Sequence, residues 1–172
     1  MSDKQYQAIS FEEKNRIGII TMNQPERRNA LSPEMRQDFA KLIPTLQYDT
    51  GLGAIILTGA EGVFCAGGDL KALAAGLNNR NTLDDRQRFY RYHDWFQKLL
   101  NIEIPVIAAV DGAAYGARFS MALSADFILC SSRAKLCCVF PRVGLVPDVG
   151  AFFTLPRMVG LQKAKEIMFT GR

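Results

Sequence analysis

Two turns rich in small residues constrain this chain more than any other feature of its sequence. The first, residues 62–70 (GVFCAGGDL), follows the β-branched run 54–58 (AIILT), and the second, residues 111–117 (DGAAYGA), follows 105–110 (PVIAAV). Helical patterns follow the turns, so strands alternate with helices through the middle of the chain. This alternation predicts an α/β fold with crossover connections and a largely parallel sheet.

The same turns carry a chemical expectation. Small residues at a strand-to-helix turn let a ligand approach the backbone closely. Amide N–H groups at the start of a helix lack partners within the helix and carry partial positive charge. Two such helix starts that face one point can hold a developing oxyanion. The pattern therefore favours chemistry on a thioester or another activated carbonyl.

Local patterns predict the remaining elements. Ser32 and Pro33 form an N-cap followed by proline at the first helical position, so a helix begins there and runs towards Gln47. Pro44 should kink or shorten that helix. We predict strands at 8–11, 17–22, 54–58, 106–110 and 127–130, a short extended segment at 134–139, a loop at 141–149, and further helices at 82–100, 114–124, 152–158 and 161–169.

Composition limits the class of protein. The chain has 172 residues, of which 48% are apolar, which suits one globular domain over residues 1–172. The formal net charge is +4, but lysine and arginine are scattered and form no basic stripe, which argues against a nucleic-acid partner. No apolar run is long enough to cross a bilayer, and no signal peptide is apparent, so we expect a cytoplasmic protein without a membrane partner.

The cysteines do not indicate a metal site. Cys65, Cys130, Cys137 and Cys138 form no CxxC pair, and His93 is the only histidine, so we expect no metal. We interpret the four thiols as reduced and mostly buried. Cys65 lies in the first turn, but no histidine close in sequence could activate it as a nucleophile.

Five segments in order resemble the enoyl-CoA hydratase/isomerase (crotonase) family. One motif alone would be weak, whereas five in sequence, spanning nearly the whole chain, are specific. They are residues 23–31 (NQPERRNAL), 62–73, 104–126, 143–150 (VGLVPDVG) and 155–160 (LPRMVG).

The resemblance implies a crotonase-like ββα spiral core that binds acyl-CoA thioesters. It also implies assembly as a homotrimer or hexamer. The family domain continues into C-terminal helices that cap the acyl pocket, and no matching segment follows here, so the chain resembles a truncated core whose helical lid is missing. No cofactor is implied, because the coenzyme A thioester is itself the substrate.

Carried over residue by residue, the resemblance implies a substrate site built on the two turns. Its oxyanion amides are those of Gly68 and Ala117. Position 117 is usually glycine in the family, and alanine is tolerable there if its φ is negative. The other implied substrate-binding residues are Ala66 and Gly67 along the pantetheine path, Asp69 and Leu70 in the same turn, Tyr115 at the acyl pocket, and Arg28 and Lys71 near the CoA phosphates.

Several of these residues also have structural interpretations. Asp69 is at least equally suited to capping a helix. Arg28 and Lys71 are equally well explained as exposed surface charge. Arg118, beside the second turn, either meets a polar acyl group or points to solvent. Tyr115 either lines the acyl pocket or belongs to the core.

Departures from the family pattern bear on the reaction. Hydratases of the family use two glutamates, and Ser120 and Phe140 stand at those positions. Neither side chain moves a proton usefully near neutral pH. Asp148 occupies the place where several isomerases of the family carry a catalytic carboxylate. Its two interpretations are a proton carrier with a pKa raised by burial and a residue that stabilises its own turn after Pro147.

We therefore predict an acyl-CoA enzyme that shifts a double bond through a thioester enolate, with Asp148 as proton carrier. One alternative is an enoyl-CoA hydratase whose acid and base come from unexpected positions. The other is a non-catalytic acyl-CoA-binding or scaffold paralogue.

Overall fold

A computed structural model of the chain describes residues 6–64 and 82–172. The chain begins with two strands and a helix and then alternates strands with helices. In order, the elements are β1 (Ile9–Lys14), β2 (Ile17–Met22), α1 (Pro33–Leu46), β3 (Ala54–Gly59), α2 (Thr82–Leu100), β4 (Val106–Val110), β5 (Ala113–Tyr115), α3 (Ala117–Ala122), β6 (Phe127–Cys130), β7 (Lys135–Cys137), α4 (Ala151–Val159) and α5 (Leu161–Thr170).

The main sheet confirms the predicted α/β class. Its strand order is β1-β2-β3-β4-β6, in which β1 pairs with β2 antiparallel and every later pair is parallel. A second, two-stranded parallel sheet joins β5 to β7. Parallel strands end at the same edge, so the turns that follow β3 and β4 are neighbours. Accordingly, the Phe64 N–H donates to the Asp111 carbonyl at 2.7 Å.

The core lies between the main sheet and the helices α1 and α2. The rings of Phe39 on α1 and Trp95 on α2 stack with their centroids 5.0 Å apart. Both side chains are almost completely buried, as are the apolar residues of β2, β3 and β4 that alternate towards the helices. This burial supplies most of the stabilising free energy that places the turns at the edge of the sheet.

The start of α1 follows its sequence signal. The Ser32 hydroxyl accepts the Met35 N–H at 3.1 Å, with Pro33 at the first helical position. Pro44 lies near the end of the helix, which stops at Leu46, with Gln47 as its C-cap. The proline is therefore followed by less than one further turn. The helix thus continues through Pro44 and ends within one residue of the predicted Gln47, so the expected shortening was not found, and a kink at Pro44 stays a prediction.

Two predicted elements differ from the structure. Residues 113–115 form strand β5, not the start of a helix, because they pair with β7, which lies about twenty residues further along the chain. Part of the predicted loop at 141–149 is a 3-10 turn, Phe140–Val143. Strand β5 could not be predicted from short-range periodicity, because that pattern contains no signal for its long-range pairing with β7.

The thiols also differ in part from expectation. Cys138 is buried, and burial raises its pKa to about 11, which makes it unreactive. Cys137 is partly buried and Cys130, on the edge strand β6, is exposed, so the expectation that the thiols are mostly buried was wrong for Cys130. Among the described residues, no helix is both long enough and apolar enough to span a membrane.

Candidate functional site

The turn between β5 and α3 is held in a conformation that only glycine adopts readily. Gly116 has φ 60° and ψ −128°, which mirrors the extended region and is closed to side chains with a Cβ atom. Its N–H donates to the Cys137 carbonyl at 3.0 Å, which fixes the turn against β7. The helix α3 starts immediately afterwards at Ala117.

The Ala117 amide is the predicted second oxyanion donor. Ala117 is not among the residues with positive φ, so alanine fits at this position without backbone strain. As the first helical residue it has no intrahelical acceptor, and within 6–64 and 82–172 no main-chain oxygen accepts its N–H. The amide is therefore available to a ligand in the described part of the chain, and its role as oxyanion donor stays a prediction.

The chain leaving β3 approaches the first predicted loop through a tightly folded turn, Ala60–Gly62. The Asn29 side-chain amide holds this turn, because it donates to the carbonyls of Ala60 at 3.1 Å and Val63 at 2.7 Å. The predicted residues Ala66, Gly67, Gly68, Asp69, Leu70 and Lys71, together with Cys65, lie outside the described residues.

An ion pair covers the same turn from outside. Arg133 donates through Nε to Asp111 Oδ1 at 2.7 Å and through Nη2 to Oδ2, and the Ser131 hydroxyl also donates to Oδ1 at 2.7 Å. Arg133 lies against Gly62, where an added Cβ would be 2.2 Å from Nη2. These hydrogen bonds, above all those from Arg133, hold the pKa of Asp111 well below its ordinary value. Sequence reasoning missed this brace, because Asp111 lies about twenty residues before Ser131 and Arg133 and meets them only in the folded chain.

Asp148 lies in a very different environment, ahead of α4. The residue is half-buried, and its Oδ1 is shielded from solvent and accepts no hydrogen bond from the described residues. Burial raises the pKa of Asp148 to about 6, against the smaller opposing effect of its own N–H. A carboxylate that stabilised its turn would accept amides of the following helix, and within the described segments none donates to it.

The backbone around Asp148 is strained. Val149 has φ 50°, a left-handed conformation that a β-branched residue rarely adopts, and it is buried. Gly150 has φ 74° and packs against α2, where an added Cβ would be 2.8 Å from Phe96 Cε1. Such strain persists only where the surrounding packing determines the conformation, and it is concentrated at functional sites.

The two positions at which hydratases of the family carry glutamates contain no acid or base. Ser120 is fully buried in α3, and its hydroxyl donates to the Gly116 carbonyl at 3.4 Å. Phe140 is also buried, at the start of its 3-10 turn. Neither side chain can take or deliver a proton, which agrees with the expectation from sequence.

The other candidates are placed as follows. Arg28 is exposed, and none of the ion pairs found among the described residues involves it. Tyr115 is half-buried at the end of β5, directly before the Gly116 turn. Arg118 is completely buried, so the alternative that it points to solvent was wrong, and a contact with a polar acyl group stays a prediction. Within the described segments, no three His, Cys, Asp or Glu side chains cluster as metal ligands would.

Comparisons with known proteins agree with this architecture. Residues 12–172 match the family model described as enoyl-CoA hydratase/isomerase. "Probable enoyl-CoA hydratase EchA14" of Mycobacterium tuberculosis is 36% identical over 167 residues, which cover 97% of this chain and 64% of that protein. "4-chlorobenzoyl coenzyme A dehalogenase-2" of Arthrobacter is 32% identical and covers all of this chain, which spans 62% of its length.

A solved structure shows the same fold. The structure described as "a putative enoyl-CoA hydratase from Thermobifida fusca YX in complex with acetoacetyl-CoA" superposes with a TM-score of 0.85 at 31% identity, covering 96% of this chain and 67% of that one. The chain thus spans a little under two thirds of the length of the curated relatives. The family match covers almost the whole chain, residues 12–172. The chain therefore belongs to the enoyl-CoA hydratase/isomerase family.

Proposed function

We propose that this protein transfers a proton beside the thioester of an acyl-CoA, through an enolate, and that the outcome is the shift of a double bond. The observation that carries the proposal is Asp148. Its carboxylate has a pKa raised to about 6 and a solvent-shielded oxygen that accepts no hydrogen bond from the part of the chain that the structure describes, the next helix included. A single group of this kind can act as both base and acid near neutral pH.

In the proposed reaction, the Asp148 carboxylate takes a proton from a carbon of the acyl chain. The electron pair of the broken C–H bond moves into the conjugated system, and negative charge develops on the thioester oxygen. The Ala117 amide, together with that of Gly68, donates to this oxygen. The protonated Asp148 then returns the proton to a different carbon, so the double bond has moved and the carboxylate is regenerated.

The substrate class rests on the relatives. The Thermobifida neighbour is described with acetoacetyl-CoA, and the Arthrobacter relatives are named for 4-chlorobenzoyl coenzyme A. We infer that Arg28 and Lys71 contribute to binding of the CoA phosphates, an ionic contribution that salt would screen. The exposure of Arg28 supports its part in this proposal.

Hydration of an enoyl-CoA is the second candidate. The names of several relatives support it more directly than they support isomerisation, because they read enoyl-CoA hydratase. Against it stand the residues: water addition needs a base for water and an acid for the α-carbon, and Ser120 and Phe140 provide neither. The assembly as a homotrimer or hexamer stays a prediction.

The test is solvent-deuterium exchange into an acyl-CoA, with the intact mass of the purified protein measured first so that the rate refers to a chain of known length. The Asp148→Asn variant should retain acyl-CoA binding and lose exchange by roughly 10²–10⁴-fold, because an amide cannot accept a proton at neutral pH. Asp94→Asn is the matched control, since Asp94 is an exposed residue of α2 whose carboxylate pairs with Lys98 at the surface.

Product analysis separates the candidates. A 3-enoyl thioester should be converted to its 2-enoyl isomer, and hydration of a 2-enoyl thioester should be negligible. Rapid hydration would establish the second candidate and contradict the first. Acyl-CoA binding without exchange would instead identify a non-catalytic binding paralogue. Undiminished exchange in Asp148→Asn would return Asp148 to a turn-forming role.

A further inference from the structure

Arg118 is an unusual charge in the core of this protein. Its side chain is 0% exposed and lies between β2, α1 and α3. Three methionine sulfurs surround the guanidinium: Nη1 contacts Met22 Sδ at 2.7 Å and Met121 Sδ at 3.0 Å, and Nη2 contacts Met35 Sδ at 2.6 Å. Thioether sulfur is only a weak acceptor, and no side chain or main chain of residues 6–64 and 82–172 accepts from Nε.

The charge is therefore only partly compensated: besides the sulfurs, the guanidinium lies over the Phe39 ring, with Cζ 5.9 Å from the ring centroid. None of the ion pairs formed among the described residues involves Arg118. A buried cation without a carboxylate is unfavourable, and an apolar side chain of similar volume would usually be neutral or stabilising in its place. Packing alone thus does not account for arginine at this position.

Among the described residues, the oxygen that accepts from the guanidinium belongs to Asn29, which holds the turn leaving β3. Nη2 donates to the Asn29 carbonyl at 3.4 Å. Asn29 is itself fully buried, and its side chain holds the Ala60 and Val63 carbonyls of the turn that leaves β3. Arg118 is also the residue directly after Ala117, which is the first residue of α3. Arg118 therefore connects the start of α3 to the β3 turn by way of Asn29.

We propose that Arg118 is a positioning residue, which locks the Asn29-held turn against the start of α3 and so sets the place of the Ala117 amide relative to the chain leaving β3. The inference rests on the proposed function, because its value lies in aligning the Ala117 donor with a thioester oxygen. Catalytic groups must be held to a fraction of an ångström, and a misplacement of about 1 Å can cost roughly 100-fold in rate.

The decisive variant is Arg118→Met, which fills the same space in a methionine-lined pocket and removes the buried charge. A packing role predicts unchanged activity and equal or higher thermal stability. A positioning role predicts that kcat for proton exchange falls about tenfold or more, while the dissociation constant for acyl-CoA changes by less than about twofold and the Tm does not fall. Arg118→Lys, which keeps a donor and the charge, should restore part of the lost kcat.

Two controls make the result specific. Met121→Leu removes one sulfur contact of the guanidinium at similar volume, and it should leave kcat unchanged. Asn29→Gly removes the amide that holds the β3 turn at a residue whose φ of 53° suits glycine. If Arg118 acts through Asn29, combining Arg118→Met with Asn29→Gly should reduce kcat no further than Asn29→Gly alone.

Amide hydrogen exchange measures whether Arg118 stabilises the turn that leaves β3, and it does not depend on the catalysed reaction. In Arg118→Met, the Val63 and Phe64 amides should exchange about tenfold faster, a change typical of a turn that opens locally, while the β1–β2 amides keep their protection. Unchanged kcat with unchanged turn protection, or full additivity with Asn29→Gly, would overturn the proposal. If the unmodified protein exchanges no substrate proton, the proposed function fails, and the amide protection still decides whether Arg118 holds the turn.

Discussion

Asp111 and Asp148 are two carboxylates of this chain whose surroundings are opposite. Asp111 is partly exposed and accepts from Arg133 and Ser131, which keeps its pKa low and its charge permanent. Asp148 lies in a strained, half-buried turn with a bare oxygen, and its pKa rises to about 6. A carboxylate with many donors braces the structure, whereas a carboxylate deprived of them is able to exchange a proton.

The pH dependence of proton exchange is the strongest test of the different roles of the two carboxylates. If Asp148 is the base, activity requires its ionised form, so the rate should fall about tenfold for each pH unit below a midpoint near pH 6. The measurement is the exchange rate at saturating acyl-CoA from pH 5 to 8. A midpoint near pH 4, the ordinary range of an aspartate, would show that the buried carboxylate is not the proton carrier.

A smaller effect is expected at the brace. Asp111→Asn keeps an acceptor for Ser131 but loses the charge that Arg133 contacts with two nitrogens. The turn at Gly62 should loosen, and exchange should fall by roughly three- to tenfold. The midpoint of the pH profile should stay near pH 6, because Asp148 is untouched. A shift of that midpoint in Asp111→Asn would mean that the two carboxylates do not have separate roles.

The smallest effects concern stability, and they should have opposite signs. Because the folded-state pKa of Asp148 is raised, ionisation of this group costs stability as pH rises from about 4 to 6, and the full cost persists above that range. Asp148→Asn should therefore increase the free energy of unfolding at pH 7.5 by on the order of 1–3 kcal/mol, and the gain should vanish below pH 4.

Asp111 contributes in the other direction. Its lowered pKa means that its contribution is present above its ordinary pKa and is lost as pH falls below it. Asp111→Asn should therefore decrease stability slightly at pH 7.5. Urea unfolding of both variants at pH 4 and 7.5 measures this pair of effects, and equal signs at pH 7.5 would contradict the division of roles.

Much of the fold could be predicted from the sequence, because its signals are local. The strand 17–22, the Ser32 cap and the alternation that predicts a parallel sheet all depend on neighbouring residues, and the structure confirms them. Strand β5 was not predictable in this way, since it exists through pairing with β7. A three-residue segment has no periodicity strong enough to identify it without its partner.

The candidate site also contains some features that the local sequence predicts and others that depend on tertiary contacts. The motif at 111–117 and the missing glutamates at Ser120 and Phe140 were visible in the sequence. The burial of Arg118 was not, because its pocket is assembled from Met22, Met35 and Met121, which approach one another only in the folded chain. The raised pKa of Asp148 likewise depends on tertiary burial, which the sequence could suggest only through the resemblance.

Gly116 has a consequence for the protein's tolerance of mutation. Every single-base change that replaces a glycine with another amino acid introduces a Cβ atom, and φ 60° with ψ −128° accommodates none without strain. Ala117, one position later, has an ordinary helical backbone and is open to several small residues. Under selection for activity, the two neighbouring positions should thus accumulate amino-acid replacements at very different rates, and position 116 should accept almost none.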